Sequence, residues 1–510
     1  MYARKTTFQL LTLGMKSLLY WTHVSPIHAI SFLANKAENN SWEIQYSLRV
    51  LEHFPADMIF FYVPQIVQLL RNDPLGYAEH YILKTAHSSQ LFAHQIIWNM
   101  KANMFNEEKD GTLVPDKIKP VLDRIIEKIV NPLSGSDKEF YEREFNFFGE
   151  VTGISGKLMP FIKCSKPEKK KKIDEEMAKI KVDVGVYLPS NPDSIVVDID
   201  YKSGIPLQSH AKAPFLATFK TRPRESVSED NNNEENEGSE EEVPVKEIWE
   251  SAIFKVGDDC RQDILALQLI AIFKSIFVKD DLDMYLYPYR VVATAPGCGV
   301  IECIPNSISR DQMGREKVNS LYDYYVVKFG HADTVNYQKA RANFIRSLAA
   351  YSLVLYMLQI KDRHNGNIMF DSEGYILHID FGFILDISPG GINFENVPFK
   401  LTSEMLEVMR TEVESQPYEW FCELCIRGYL AIRPYATQII EMVSLMQESG
   451  LPCFRGDVTL RKLKSRFQLD LTEQQAAEFM SERIEQSKQN IRSVAYDHFQ
   501  KIQNEIPYHR

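Results

Sequence analysis

Gln359-Ile-Lys-Asp-Arg-His-Asn-Gly-Asn-Ile-Met-Phe370, then Asp371-Ser-Glu-Gly374, then Tyr375-Ile-Leu-His-Ile-Asp-Phe-Gly-Phe383 is the stretch on which the fold turns. It reads as a polar loop, a short apolar strand, a tight turn at Gly374 and a second apolar strand ending in Asp380-Phe381-Gly382. Asp362 and Asn367 share the loop, and Asp380 closes the hairpin that follows. Three oxygen-bearing groups are thereby expected to converge, as they do where a hard cation and phosphate oxygens are held. Magnesium-dependent phosphoryl transfer is the chemistry that needs such a set.

The order of the residues narrows this. Ordinary protein kinases place His-Arg-Asp ahead of their Asn, whereas this chain has Asp362-Arg363-His364 and then Asn367. Asp-Phe-Gly alone marks little more than a strand end. Asp-Arg-His-x-x-Asn with Asp-Phe-Gly downstream resembles the phosphatidylinositol 3- and 4-kinase superfamily. The resemblance implies an α+β fold: a bilobal, protein-kinase-like catalytic domain of the phosphoinositide type, preceded by an all-α helical accessory domain. ATP and Mg2+ are the expected cofactors.

At 510 residues, 45% of them apolar, the chain is long enough for two or three domains. Its net charge of -11 is mostly local, because residues 225–247 hold ten acids against one base, Lys246. The acidity therefore describes one segment and says little about substrate. The 7 cysteines are scattered without a disulfide spacing, which fits a reducing cytosolic compartment. Cys422-Glu-Leu-Cys425 lies in an apolar-periodic stretch and reads as two thiols on a packed helix. No apolar run reaches the ~20 residues that span a bilayer. Arg4 and Lys5 before Phe8 faintly resemble a signal sequence, but the run is interrupted and reads as a helix.

Residues 1–130 read as all-helical, with Ser25-Pro26 and Asp73-Pro74 as helix starts and Phe92, Ile96 and Met100 at helical spacing. Gln45-Tyr-Ser-Leu-Arg-Val-Leu51, Phe60 to Leu70 and Ser89 to Met100 are similar to the accessory domain of phosphoinositide kinases, which favours a lipid kinase over the protein-kinase-like members. Residues 131–181 read as a helical, lysine-rich linker. In it, Lys169 to Lys172 are expected on a solvated helix of mixed charge, with anionic headgroup contact as the sharper alternative. From Val182 the pattern turns to strands, at Val184 to Leu188, Ile195 to Ile199 and Phe215 to Lys220. Residues 182–305 are the expected N-lobe, interrupted at 224–247 by an acidic, apolar-poor insertion expected to be disordered. Residues 306–510 are the expected C-lobe.

The rest of the site rests on the resemblance. Gln208-Ser-His-Ala-Lys-Ala-Pro214 falls where type III phosphatidylinositol 4-kinases have a phosphate loop, with Lys212 near the terminal phosphates. Phe254-Lys255-Val-Gly-Asp-Asp-Cys-Arg-Gln-Asp263 is a signature of the superfamily, and Lys255 is expected to face the nucleotide with Asp263 ordering the lysine or the ligand. Val292 to Pro305 resembles the alpha branch of the type III enzymes. It places Glu302, Cys303 and Ile304 at the interlobe hinge that holds adenine, with Tyr289 behind it. Asp380 and Asn367 are the expected metal ligands. Asp362 is the expected acceptor of the hydroxyl proton, and His364 is a second candidate.

The segment after Asp-Phe-Gly separates substrates. Kinases of already phosphorylated inositides need several Lys or Arg there to bind the extra phosphates, while Ile384 to Thr402 offers only Lys400. Phe383 stands where class I 3-kinases carry His. Phe383 and Lys400 are thus the candidate substrate contacts, and an unphosphorylated inositol lipid is the expected acceptor, phosphorylated at its 4-hydroxyl. Ile491, Val494, Phe499, Ile502 and Ile506 form one helical face, and by resemblance this terminal helix contacts the membrane. A cytoplasmic, peripherally membrane-associated location is expected, with the plasma membrane implied by the resemblance. Scaffold proteins are candidate partners, and no nucleic-acid partner is expected. Alpha-type members extend far beyond the N-terminus seen here, which implies a reduced form or a fragment. A 3-kinase or protein kinase of the same superfamily is the enzymatic alternative. A non-catalytic scaffold would have lost Lys255, Asp362, Asn367 or Asp380, and all four are present.

Overall fold

The computed structural model describes residues 21–34, 41–107, 112–207, 213–224, 247–256, 259–318, 320–389, 397–409 and 416–489. Lys212, the acidic segment 225–246 and the apolar face at 491–506 lie outside them. The chain divides into two compact units. A loop unit holds Met1–His53, Arg261–Pro288 and Ile304–Arg510, and a sheet unit holds Phe54–Cys260 and Tyr289–Cys303.

The loop unit opens with α1 (Pro26–Leu33) and α2 (Ser41–His53). Ser25 is extended and Pro26 takes the first helical position, where its missing N–H costs nothing. The sheet unit then begins with α3 (Ala56–Ile59), α4 (Val63–Leu69), α5 (Tyr77–Ser88) and α6 (Gln90–Ala102). Asp73-Pro74 does not start α5 directly. It makes a turn in which Gly76 N–H returns to Asp73 O, and the Asp73 carboxylate accepts Glu79 N–H at 2.9 Å. The short hairpin β1 (Phe105–Glu107) with β2 (Leu113–Pro115) interrupts the run of helices expected over 1–130. Helices α7 (Lys119–Val130), α8 (Gly135–Leu158) and α9 (Lys166–Met177) follow.

The lysine-rich helix α9 is largely internally paired. Ser165 and Glu168 close a capping box at its start. Lys170 donates to the carbonyls of Lys202 and Gly204, and Glu176 receives Lys157, Lys172 and Lys179. Those three ammonium groups push the Glu176 carboxyl down to about 2.

Strands β3 (Ser194–Pro206), β4 (Phe215–Pro223), β5 (Ile248–Val256), β6 (Val291–Ala295) and β7 (Cys298–Glu302) form one antiparallel sheet in the order β3-β4-β5-β7-β6. Period-2 alternation buries Phe215, Ala217, Phe219, Ala252 and Phe254 on one face. That face joins Phe147, Phe148 and Val151 of α8 in a single core. Burial of aromatic side chains there makes Phe254→Ala cost about 3–5 kcal/mol. Val184 to Leu188 is not the strand its apolar run suggests. Gly185 turns at φ 84°, Val184 is 86% exposed, and Val186, Tyr187 and Leu188 plug the core as a loop. Its backbone is satisfied from the side, where Glu144 accepts Tyr187 N–H at 2.9 Å.

The loop unit resumes with α10 (Arg261–Lys279), β8 (Ile308–Ser309), α11 (Arg310–Arg315), α12 (Leu321–Phe329) and α13 (Val335–Leu358). Hairpin β9 (Ile368–Phe370) with β10 (Ile376–His378) pairs antiparallel as the sequence predicts, with Ile376 opposite Phe370 and His378 opposite Ile368. In its turn Asp371 accepts two N–H groups, and Gly374 at φ 90° lies where a Cβ would meet Ala340 at 2.9 Å. Helices α14 (Ser403–Met409), α15 (Gln416–Ile432), α16 (Ala436–Leu445), α17 (Asp457–Arg466) and α18 (Glu473–Lys488) complete the described residues. Cys422 and Cys425 lie on α15 as free thiols, Cys425 buried.

Candidate active site

Helix α13 carries the chain into the loop, its second half almost wholly buried. Gln359 then turns left-handed at φ 51°, and Asp362, Asp380 and Leu385 also have positive φ. Aspartate tolerates this conformation better than most residues, yet each such position stores strain that its surroundings must hold.

Arg363 does much of that holding. It is 2% exposed. Its guanidinium donates to the carbonyl of Lys361 at 2.9 Å, to that of Ile379 at 2.7 Å and to that of Asp380. The loop and the end of β10 are thereby stapled backbone to backbone. Asn367 adds a second tie: its Nδ2 donates to Asp362 O at 2.9 Å, and its own carbonyl accepts Ile379 N–H at 3.1 Å. With the amide nitrogen committed, the Asn367 Oδ1 is the face left for a ligand. The Asp380 carboxylate is exposed.

His364 accepts Gly366 N–H on Nδ1 at 3.0 Å. The neutral ring therefore carries its proton on Nε2 and can donate from it. Burial pulls this histidine below its ordinary value, with Asp362 and Asp380 pulling the other way. Burial thereby favours the neutral, donating form of the ring.

Asp263 lies in the first turn of α10 and accepts Phe381 N–H on Oδ1 at 2.8 Å. The neighbouring Gln262 donates to Gly382 O at 3.0 Å. Asp263, expected to order a lysine or the ligand, is seen to fix the backbone beside Asp380. Phe383 is half-buried, and its carbonyl accepts Lys361 N–H at 2.9 Å. The Lys400 ammonium donates to Arg363 O at 2.8 Å, which ties the far end of the segment after Asp-Phe-Gly to the loop. Arg363 and Gln262 had no assigned role in the sequence, where nothing local shows which carbonyls a side chain will reach.

The sheet unit holds the other expected residues. Lys255 lies on β5 opposite Gly299 of β7, on the face away from the core. Ile253 shares that face, and its paired neighbours there are Leu216 and Ile301. A Cβ at Gly299 would meet Cys260 Sγ at 2.7 Å, so the position opposite the lysine has no room for a side chain. Tyr289 is buried, the Glu302 carboxylate accepts Arg290 N–H at 2.8 Å, and Cys303 N–H donates to Ser251 O at 3.1 Å. Burial pushes the Cys303 thiol up to about 12, so it is not a nucleophile. Ile304 follows in the loop unit, its carbonyl accepting from Ser307 Oγ at 2.9 Å.

Among the described residues no three or more His, Cys, Asp or Glu gather as a metal cage. One carboxylate and one amide oxygen, from Asp380 and Asn367, fit a magnesium ion that arrives with phosphates and keeps its waters.

An antiparallel sheet bearing Lys255, and a stapled Asp-Arg-His loop leading into Asp-Phe-Gly, define the phosphoinositide-kinase class. Residues 249–456 match the family described as Phosphatidylinositol 3- and 4-kinase, and residues 10–142 match the Phosphoinositide 3-kinase family accessory domain (PIK domain). The chain belongs to the phosphatidylinositol 3- and 4-kinase family. Phosphatidylinositol 4-kinase stt4 of Schizosaccharomyces pombe is 59% identical to it over 499 residues, 97% of this chain and 26% of that protein. Phosphatidylinositol 4-kinase STT4 of Saccharomyces cerevisiae is 55% identical over 496 residues, 97% of this chain and 25% of the relative. The putative phosphatidylinositol 4-kinase alpha-like protein P2 of Homo sapiens is 44% identical over 440 residues, 79% of this chain and 74% of the relative. The chain thus spans about a quarter of the two fungal relatives.

Proposed function

We propose that this chain carries the catalytic region of a phosphatidylinositol 4-kinase, transferring the γ-phosphoryl group of ATP to the 4-hydroxyl of phosphatidylinositol. The observation that carries this reading is the double tie of Arg363 and Asn367, which holds the loop bearing Asp362 and His364 against the backbone at Asp380. The names of the fungal relatives support the 4-kinase assignment.

Asp380 and Asn367 Oδ1 would hold magnesium, which supplies charge neutralisation on the phosphates. Lys255 and Lys212 offset the remaining charge of the nucleotide. Tyr289, Glu302, Cys303 and Ile304 frame the adenine. Asp362 orients the acceptor hydroxyl and takes its proton, while His364 donates from Nε2 to a phosphoryl oxygen. Because phosphoryl transfer passes through a loose transition state, positioning and charge stabilisation outweigh proton abstraction. Phe383 and Lys400 face the inositol headgroup, and the scarcity of bases in 384–402 suits an acceptor without monoester phosphates.

No helix among the described residues is long and apolar enough to cross a membrane. The cytoplasmic, peripherally membrane-associated location at the plasma membrane is part of this proposal and rests on the resemblance to phosphoinositide kinases. The expected membrane helix at 491–506 and any scaffold partner belong to the same proposal. Asp380→Ala tests the reading: turnover on phosphatidylinositol falls at least about a thousandfold with the melting temperature unchanged. Appreciable residual turnover removes Asp380 from the metal site.

A further inference from the structure

Helix α17 grips both chain segments that flank the catalytic loop. Thr459, Lys462 and Arg466 recur at intervals of three and four, and so share one face of the helix. Arg466 donates from Nε to Met357 O at 2.7 Å, at the end of α13 and two residues before the left-handed Gln359. Lys462 and Thr459 instead hold the segment leaving the loop. The Lys462 ammonium lies 2.6 Å from Asp386 Oδ1, and the Thr459 hydroxyl donates to Asp386 Oδ2 while accepting Arg455 N–H at 2.8 Å. The Asp386 carboxylate is 5% exposed although its lysine partner is 55% exposed. Burial opposes its charge, but Lys462 and Thr459 outweigh that and hold Asp386 below the usual carboxylate range.

The two gripped segments are bonded to each other. Lys361 N–H donates to Phe383 O at 2.9 Å, and Leu385 N–H donates to Leu358 O at 2.8 Å. Asp362 and Asp380, both left-handed, lie in the loop that the Lys361–Phe383 bond closes, and Leu385 at φ 55° adjoins Asp386. Strain of this kind persists only where the surroundings over-determine it. Arg363 supplies that from inside the loop, and α17 supplies it from outside.

We propose that Asp386, held by Thr459 and Lys462 of α17, is a positioning residue that sets the placement of Asp380 and Asp362 for phosphoryl transfer. It touches no reacting atom. Its effect passes through Leu385 to the pair of bonds joining 358–361 to 383–385. The kinetic part rests on the phosphatidylinositol 4-kinase reading, and the backbone part does not.

The test compares the full chain with Asp386→Asn, Lys462→Met and the conservative Asp386→Glu, by kinetics on phosphatidylinositol vesicles with magnesium-ATP and by amide hydrogen exchange. Asp386→Asn and Lys462→Met are expected to lower kcat ten- to a hundredfold with KM for ATP within twofold, and to speed exchange at Lys361 and Leu385 at least tenfold. Asp386→Glu is expected to restore most of both. Unchanged kcat in an active chain, or faster exchange confined to Asp457–Arg466, overturns the proposal. Should the parent chain leave phosphatidylinositol unphosphorylated, the 4-kinase reading fails by itself, and exchange at Lys361 and Leu385 decides the positioning role alone.

Discussion

Arg363 shows how much of the site is backbone engineering by single side chains. One planar guanidinium reaches the carbonyls of Lys361, Ile379 and Asp380, and a lysine ammonium, a point charge on a flexible stem, cannot span all three. Arg363→Lys is therefore expected to keep the fold while lowering kcat roughly a hundredfold, the scale of a ~1 Å misplacement. Steady-state kinetics with a parallel melting curve checks this, and unchanged kcat would remove the staple from the account. That Asp362, His364, Asn367 and Asp380 fall in one loop and the hairpin after it was legible because the reversed motif is local. Arg363, Gln262 and Asp386 were not, because their partners lie up to 120 positions away and a carbonyl leaves no mark in a sequence.

Helices α6 and α8 meet around a buried polar group that the sequence did not announce. Glu144 of α8 accepts Tyr187 N–H, and His94 of α6 pairs its Nδ1 with the Tyr187 hydroxyl at 3.0 Å. The Arg224 guanidinium lies over the Tyr187 ring. Burial pushes the Glu144 carboxyl up to about 8, against Tyr187 N–H and Arg224, and pushes His94 down to about 3 with help from Arg224. The two act in opposite senses. Glu144 favours its neutral form in the fold, so its stabilisation, full below the unfolded value, is lost as pH rises to about 8. His94 also favours its neutral form, so its stabilisation, present above the unfolded value, is lost as pH falls towards about 3. The melting temperature is thus expected to decline between pH 6.5 and 8 by an amount worth a few kcal/mol, on the order expected for a buried carboxyl. Glu144→Gln should flatten that alkaline limb, and a scan in which the limb persists contradicts the assignment. The same neighbourhood explains the failed strand at Val184 to Leu188. A loop that plugs a core is as apolar as a strand, and only Gly185 hinted otherwise. The hairpin at 368–378 was readable because alternation, Asp371 and Gly374 agree.

At the scale of the whole chain, sequence and structure agree on an α+β fold of the phosphatidylinositol 3- and 4-kinase family, with accessory helices ahead of the sheet. The grouping of residues into units was less readable. Helices α3 to α9 fold with the five-stranded sheet, while α1 and α2 fold with the loop unit, where α1 packs on α16. Such pairings join segments hundreds of residues apart and follow from packing faces rather than local pattern. The central claim is the reaction itself. The most direct measurement is a lipid-kinase assay of the purified chain on phosphatidylinositol vesicles with magnesium-ATP, followed by positional analysis of the product. The account predicts phosphatidylinositol 4-phosphate, with little transfer to already phosphorylated inositides. Phosphate at the 3-position, or preference for a phosphorylated headgroup or a protein, contradicts it.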